Sequence, residues 1–194
     1  MSDTPKQTSG NSPSKTSNWF ASWFDSPYYH ILYKERDEEE AQLFMDTIVH
    51  YLNLPEDAKI LDLACGKGRH SMYLNQLGYD VTGADLSSNS IAFAKKYENE
   101  TLHFVEHDMR KPFEQKFDAI LNLFTSFGYF ENDEDNLTTL KAIKESISEY
   151  GFAVIDFMNV PNVLVFLRVK QRCFNFSMVE VFMQRYYQCL RYYS

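Results

Sequence analysis

Apolar residues along this chain fall into two alternating spacings, and the alternation predicts a layered α/β fold. Ala41, Phe44, Met45, Ile48, Val49 and Leu52 recur three or four apart, as on one face of a helix. Asp37-Glu38-Glu39-Glu40 opens that helix with acids that suit its positive end, and Pro55 stops it. Short apolar runs then take over at Ile60-Leu63, Tyr79-Asp85, Thr101-Asp108, Phe117-Phe124 and Phe152-Phe157. Between them lie helical stretches: Ser71–Leu77 ending at Gly78, and Ile91–Tyr97 capped by Ser87 or Ser88. A further helix starts at Asn132, carries Leu137, Leu140, Ile143 and Ile147 on one face, and is expected to end at Gly151. Strands are therefore predicted near 59–64, 80–85, 102–107, 117–123 and 152–157. Apolar strands alternating with helices imply a doubly wound, mainly parallel sheet covered on both faces, with right-handed crossovers.

The two ends of the chain have a different texture. Residues 1–18 are Ser, Thr, Asn, Pro and Lys with little to bury, which predicts a disordered leader or a cloning remnant. From Trp19 to Tyr33 the chain is dense in aromatics, and 19–58 is expected to form an N-terminal helical lid or a helix covering the sheet. The core unit is 59–159. The tail, 160–194, holds no Gly, one Pro and one acid against five Arg and Lys, so it carries +4 while the rest carries −12. Crowded Phe and Tyr without turn residues leave two expectations for it. It is an atypical edge hairpin or, the reading favoured here, a truncated or aberrant end that leaves two C-terminal strands incomplete.

Composition narrows the classes. At 194 residues, 44% hydrophobic and 16% aromatic, one domain with extensions can bury a sizeable core. The net charge of −8 argues against a nucleic-acid or anionic-membrane binder. No apolar run reaches the ~18 residues of a membrane span, so a cytoplasmic protein is expected. Cys65, Cys173 and Cys189 are too scattered for zinc ligation, and five histidines show no metal-ligand spacing. No metal is expected.

The chemistry centres on 59–70, Lys-Ile-Leu-Asp-Leu-Ala-Cys-Gly-Lys-Gly-Arg-His, a strand, a glycine turn and a helix start. Such a unit cradles small ligands, and two glycines alone would also serve an ordinary turn. The stronger signal is a series of acids late in successive strands: Asp62, Asp85 and Asp108. Two ligands compete. For a dinucleotide, Gly66-x-Gly68-x-x-Ser71 approximates the glycine fingerprint, with Asp85 on the ribose 17 residues after Gly68. Against this, Ser71 stands where glycine or alanine is wanted, and Asp62 sits badly beside a pyrophosphate. S-adenosyl-L-methionine carries an ammonium group for Asp62, a ribose diol for Asp85 and no phosphate.

The run Asp62-Leu-Ala-Cys-Gly-Lys-Gly-Arg-His-Ser-x-Tyr-Leu, followed by Gly78-Tyr-Asp-Val-Thr-Gly-x-Asp85-x-Ser, resembles the class I S-adenosylmethionine-dependent methyltransferases. Its Gly-Arg-x-Ser-x-Tyr-Leu detail is most similar to small bacterial members of the tellurite-resistance and small-molecule type. Asp108-Met-Arg-Lys-Pro-Phe and Phe117-Asp118 extend the likeness, which spans about 59–157. The resemblance implies a Rossmann-like fold and a methyl transfer by in-line displacement. It places Asp62 and the backbone of Ala64, Cys65 and Gly66 at the methionine moiety. Asp85 would take both ribose hydroxyls and Leu86 flank the adenine. Asp108 would accept from the adenine amino group with Met109 beside the ring, and Asn122 and Leu123 would line the sulfonium. Tyr33 and Arg36 would meet the ligand carboxylate. Asp85 or Asp108 could instead cap a following helix, and Arg69 could simply pair with a nearby acid.

No catalytic base is singled out; His30 and His107 are the candidates. Phe124, Phe127, Tyr129 and Phe130 stand where an acceptor would dock, or belong to the core. The Asp/Asn-Pro-Pro-aromatic motif of amino-methylating nucleic-acid enzymes is replaced by Leu123-Phe-Thr-Ser-Phe127, which with the acidic charge favours a small-molecule acceptor. The expected activity is therefore methyl transfer to a small molecule. A non-catalytic S-adenosylmethionine-binding protein and a nicotinamide-dependent oxidoreductase are the alternatives.

Overall fold

The structure, a computed structural model, describes residues 38–157. The leader, most of the aromatic stretch with His30, Tyr33 and Arg36, and the tail lie outside the described residues. Helix α1 (Glu38–Leu52) is followed by β1 (Lys59–Leu63), α2 (Arg69–Gln76), β2 (Asp80–Asp85) and α3 (Ser88–Ala94). After one 3-10 turn come β3 (Leu102–Glu106), β4 (Phe117–Asn122), α4 (Asp133–Ser146) and β5 (Ile147–Ile155). The five strands lie in the order β3-β2-β1-β4-β5, and every neighbouring pair is parallel. The order reverses direction between β1 and β4, so the carboxyl ends of those strands part and leave a crevice.

Two apolar layers hold the sheet. Ile60, Val81, Phe104 and Leu121 pack with Met45 of α1, Leu74 of α2 and Ile91 of α3. Leu61, Leu63, Ala84 and Ile120 pack on the other face with Ile143 of α4. Alternation along β1 sends Ile60 to one layer and Leu61 to the other, as a strand buried on both faces requires. In α1 the expected stripe holds: Ala41 and Met45 are buried, and Phe44, Ile48, Val49 and Leu52 pack against the same layer. Ser87 caps α3, its hydroxyl accepting from the Ser90 N–H at 3.1 Å.

The structure corrects the α4–β5 junction. Helix α4 ends at Ser146 without a glycine, and Ile147 already pairs with Phe117. Gly151 lies inside β5, where the register jumps from Phe117↔Ile147 to Ala119↔Phe152. A Cβ there would come within 2.7 Å of Ile147 and 2.8 Å of Ser148, so this glycine permits a bulge rather than ending a helix. The buried face of α4 also differs from expectation. Leu137 and Leu140 are 51% and 43% exposed, while Thr139, Ala142, Ile143 and Ser146 face inward. Small inward residues let the helix lie close to β4 and β5.

Phe104, at the centre of the first layer, reaches into space that two glycines leave open. A Cβ on Gly68 would sit 2.4 Å from its ring, and one on Gly83 would sit 2.5 Å from it. Gly68 also needs its left-handed φ of 81° to turn the chain into α2. Gly83 has no such need, so it isolates the steric effect. Gly83→Ala is expected to destabilise the fold by about 1–3 kcal/mol in denaturant unfolding. Phe104→Leu in the same background should recover part of that loss, and independent, additive losses would contradict the contact.

Candidate functional site

Where β1 ends, the chain enters the left-handed region at Ala64, with φ 67°, and then turns through Gly66. Past the last ladder bond, made by Ala64 N–H, the backbone amides of this turn need acceptors. The Ala84 carbonyl accepts from both Ala64 N–H at 2.7 Å and Cys65 N–H at 3.0 Å. The Asp85 carboxylate takes the next one, Gly66 N–H, on Oδ2 at 2.8 Å. Its Oδ1 accepts from Ser87 N–H at 2.8 Å. Asp85 thus joins the glycine turn to the turn after β2, and the helix cap is Ser87 rather than Asp85. At Gly66 a Cβ would point into open space, so the turn presents bare backbone to the crevice.

Beneath the turn, Asp62 is 2% exposed. Its Oδ2 accepts a short 2.6 Å bond from the Ser71 hydroxyl, on the first turn of α2. Burial pushes the Asp62 carboxyl up to about 6; the charge of Asp85 adds to this, while the Ser71 bond and Arg69 oppose it. Ser71 was not anticipated as a site residue, but it explains its own departure from the dinucleotide fingerprint: a glycine or alanine would take the hydroxyl donor away from this buried carboxylate. Cys65 is buried beside the same acids, and burial raises its thiol far above the ordinary value, so it stays protonated.

After β3, Asp108 is bound by Arg110, through Nη2 to Oδ2 at 2.6 Å and Nε to Oδ1 at 3.0 Å. That guanidinium bond holds the carboxyl below its ordinary value despite partial burial. Met109 packs against the second apolar layer. His107 is turned into the same loop, its Nε2 2.8 Å from the Lys111 carbonyl and its ring 4.0 Å from that of Phe113. Leu86, 41% exposed, stands at the mouth of the crevice.

At the end of β4, Asn122 is buried and donates from Nδ2 to the Leu63 carbonyl at 2.9 Å, while its Oδ1 has no hydrogen-bond partner. Leu123 follows Asn122 at the end of β4. Its side chain belongs to the core, 4% exposed, so only its backbone can line a ligand. Phe124 and Thr125 follow with φ of 57° and 60°, a strained pair that aims the loop. The Phe124 amide donates to Asp156 Oδ2 at 3.0 Å, and its ring stacks on His70 at 4.6 Å and 7°. Phe44 meets the same ring edge-on, and the Arg69 guanidinium lies 5.7 Å from its centre. His70 and Asp156 were not anticipated. Asp156 carried the same signal as the other three acids, a carboxylate late in an apolar strand; His70 carried none, because its role depends on a loop more than fifty residues away.

Asp62, Ala64, Cys65, Gly66, Asp85, Leu86 and Asn122 come together at the carboxyl ends of β1, β2 and β4, with Asp108 and Met109 at the end of β3. Among the described residues, no group of His, Cys, Asp and Glu could hold a metal. The raised Asp62 value has a measurable consequence. Folding takes up a proton here between about pH 4 and pH 6, so this group favours the fold most below pH 4 and loses that effect as pH rises through 6. Asp62→Asn still accepts from Ser71 and has no charge to bury. Its stability relative to the natural protein is expected to rise by about 1–3 kcal/mol between pH 4 and pH 7, measured by urea unfolding. A difference that does not change with pH would remove the burial argument.

Known proteins share this sequence and geometry in part. Residues 60–151 match the model of a methyltransferase domain. A putative methyltransferase, YqeM of Bacillus subtilis (strain 168), is 35% identical over 108 residues, 54% of this chain and 44% of the relative. The dTDP-3-amino-3,4,6-trideoxy-alpha-D-glucopyranose N,N-dimethyltransferase of Streptomyces venezuelae is 31% identical over 104 residues, 53% of this chain and 43% of the relative. The chain thus spans less than half the length of these two relatives. The crystal structure of a TehB-like SAM-dependent methyltransferase from Corynebacterium glutamicum superposes with a TM-score of 0.57 at 25% identity, over 79% of this chain and 82% of the other. Residues 60–151 are thus similar to a methyltransferase domain, and the described fold is similar to that of a solved TehB-like SAM-dependent methyltransferase.

Proposed function

We propose that this chain transfers a methyl group from S-adenosyl-L-methionine to a small-molecule acceptor. The observation that carries the reading is the Asp85 carboxylate, fixed at the crevice by Gly66 N–H and Ser87 N–H beside a turn of bare backbone. Two features of the site suit this donor. First, Gly66 leaves the space a ligand backbone contact needs, and the buried Asn122 Oδ1 calls for a donor. Second, Asp62 and Asp85 flank the turn with two carboxylates, an environment that repels a pyrophosphate and suits a cationic sulfonium and ammonium. A nicotinamide-dependent reaction has no comparable support.

When bound, S-adenosyl-L-methionine supplies an already activated methyl carbon. The protein's part is therefore positioning and exclusion of water. Asp85 would hold the ribose hydroxyls, and Leu86 and Met109 would bracket the adenine, whose amino group would donate to Asp108. The backbone of Ala64, Cys65 and Gly66 and the Asn122 amide would hold the methionine end, with Asp62 providing negative potential from below. Leu123 contributes backbone alone. Tyr33 and Arg36 remain proposed partners of the ligand carboxylate. No residue is assigned as base; one is needed only where the acceptor must lose a proton before it attacks.

A small-molecule acceptor is supported by the named substrate of the Streptomyces venezuelae relative and by the acidic charge, which disfavours nucleic acid. A cytoplasmic location is proposed with it; among the described residues, no helix is long and apolar enough to cross a membrane. The proposed organisation keeps 1–18 as a leader, 19–58 as a lid, 59–159 as the donor-binding core and 160–194 as an atypical end.

Calorimetry with S-adenosylmethionine, S-adenosylhomocysteine and NAD tests the reading, which expects the first two to bind and NAD not to. Asp85→Ala should weaken S-adenosylhomocysteine at least about tenfold, since charge-assisted bonds contribute roughly 1.5–3 kcal/mol each and ~1.4 kcal/mol is a factor of ten. It should also cost about 1–3 kcal/mol of stability, because Gly66 and Ser87 N–H lose their acceptor. Asp85→Asn should be milder in both. If Asp85→Ala stays folded and binds as the natural protein does, Asp85 only braces the two turns.

A further inference from the structure

The loop after β3 carries an arrangement that the family role of Asp108 does not require. Asp108 lies in irregular chain, where a short carboxylate has several rotamers open to it. Arg110 removes that freedom. Its main-chain N–H and its Nε both donate to Oδ1 at 3.0 Å, and Nη2 donates to Oδ2 at 2.6 Å. Nε also shares a longer 3.2 Å contact with Oδ2. Two oxygens offer about four acceptor positions. Three N–H groups of Arg110 are spread over them, and room is left for one more donor. An exocyclic amino group can supply that donor; a carbonyl oxygen at the same place would face the carboxylate lone pairs.

Arg110 is itself held from elsewhere. Its Nη1 donates to Asp135 Oδ2 at 3.2 Å, and its guanidinium lies 5.0 Å from the centre of the Phe130 ring. Asp135 sits in the first turn of α4, where its N–H donates to the Asn132 side chain that caps the helix, at 2.8 Å. Phe130 belongs to the β4–α4 connection, which begins with the strained Phe124 and Thr125. The arginine side chain is 31% exposed and its two carboxylates 18% and 32%, so these pairs are partly shielded from water.

We propose that Arg110 is a positioning residue of the donor site: it fixes the Asp108 carboxylate for a base bearing an amino group, and through Asp135 and Phe130 it couples base recognition to the β4–α4 connection. The proposal rests on the donor reading above. The coupling follows from rigidity, since one planar fork makes both contacts and cannot adjust to one without moving relative to the other.

The test uses the full chain and two probes, S-adenosylhomocysteine and its inosine counterpart, in which a carbonyl replaces the amino group. The natural protein is expected to prefer the adenine probe by tenfold or more in calorimetry. Arg110→Gln should lower affinity for the adenine probe about tenfold and change that for the inosine probe by less than threefold. Arg110→Lys, which keeps the charge but not the fork, should fall between the two. Asp135→Asn, which alters the outer contact of Arg110 and leaves its bonds to Asp108 in place, guards against a misfolded Arg110 variant. It should reduce the adenine preference by a smaller factor and speed amide hydrogen exchange in 123–132 when the adenine probe is bound. Equal losses for both probes, or an unchanged preference in all three folded variants, would overturn the role of Arg110 while leaving the donor reading intact. If the natural protein binds neither probe, the donor reading and this proposal fall together.

Discussion

Everything at the carboxyl edge depends on how the backbone leaves β1. Three successive amides meet here: Ala64 N–H makes the last bond of the parallel ladder, and those of Cys65 and Gly66 beyond it need acceptors. The end of β2 supplies all of them, two from the Ala84 carbonyl and one from the Asp85 carboxylate. A carboxylate is strong enough to fix a glycine turn and can still address a ligand. Asp85 is therefore part of the fold, bracing the glycine turn and the turn after β2 at once.

The four strand-end acids share a pattern but not an environment. Asp62 lies beneath the turn, desolvated, and is kept in place by one hydroxyl from Ser71. Asp85 binds backbone amides, Asp108 an arginine fork, and Asp156 the amide of a strained phenylalanine. Carboxylates accordingly concentrate where the sheet opens. A negative crevice over bare backbone distinguishes this site from phosphate-binding turns of similar sequence, in which a buried acid under the glycines would oppose the ligand. The sulfonium and ammonium of S-adenosylmethionine are suited to that potential.

Much of this was legible along the chain because it is local. Hydrophobic spacing located all five strands and the helices α1, α2 and α3, since period and length depend on neighbours three or four residues away. Asp62, Asp85, Asp108 and the glycines stood out through their positions at strand ends. The junction after α4 did not, because Gly151 looks like a helix stop and serves as the pivot of a bulge, a role visible only against Asp118 and Ile147. Leu137 and Leu140 made a convincing apolar stripe, yet the helix turns Thr139, Ala142 and Ser146 to the sheet because small residues fit the space over β4 and β5.

What the sequence by itself determined is therefore the layered α/β order, the glycine turn and the set of acids at the strand ends. The tertiary structure alone decided what each acid holds. Ser71 reaches Asp62 because α2 folds back over β1, and His70 reaches Phe124 because β4 lies beside β1. Arg110 reaches Asp135 because α4 starts next to the loop after β3. Strand and helix periods arise within a few residues, whereas a hydrogen-bond partner is chosen by distances that the crossovers set.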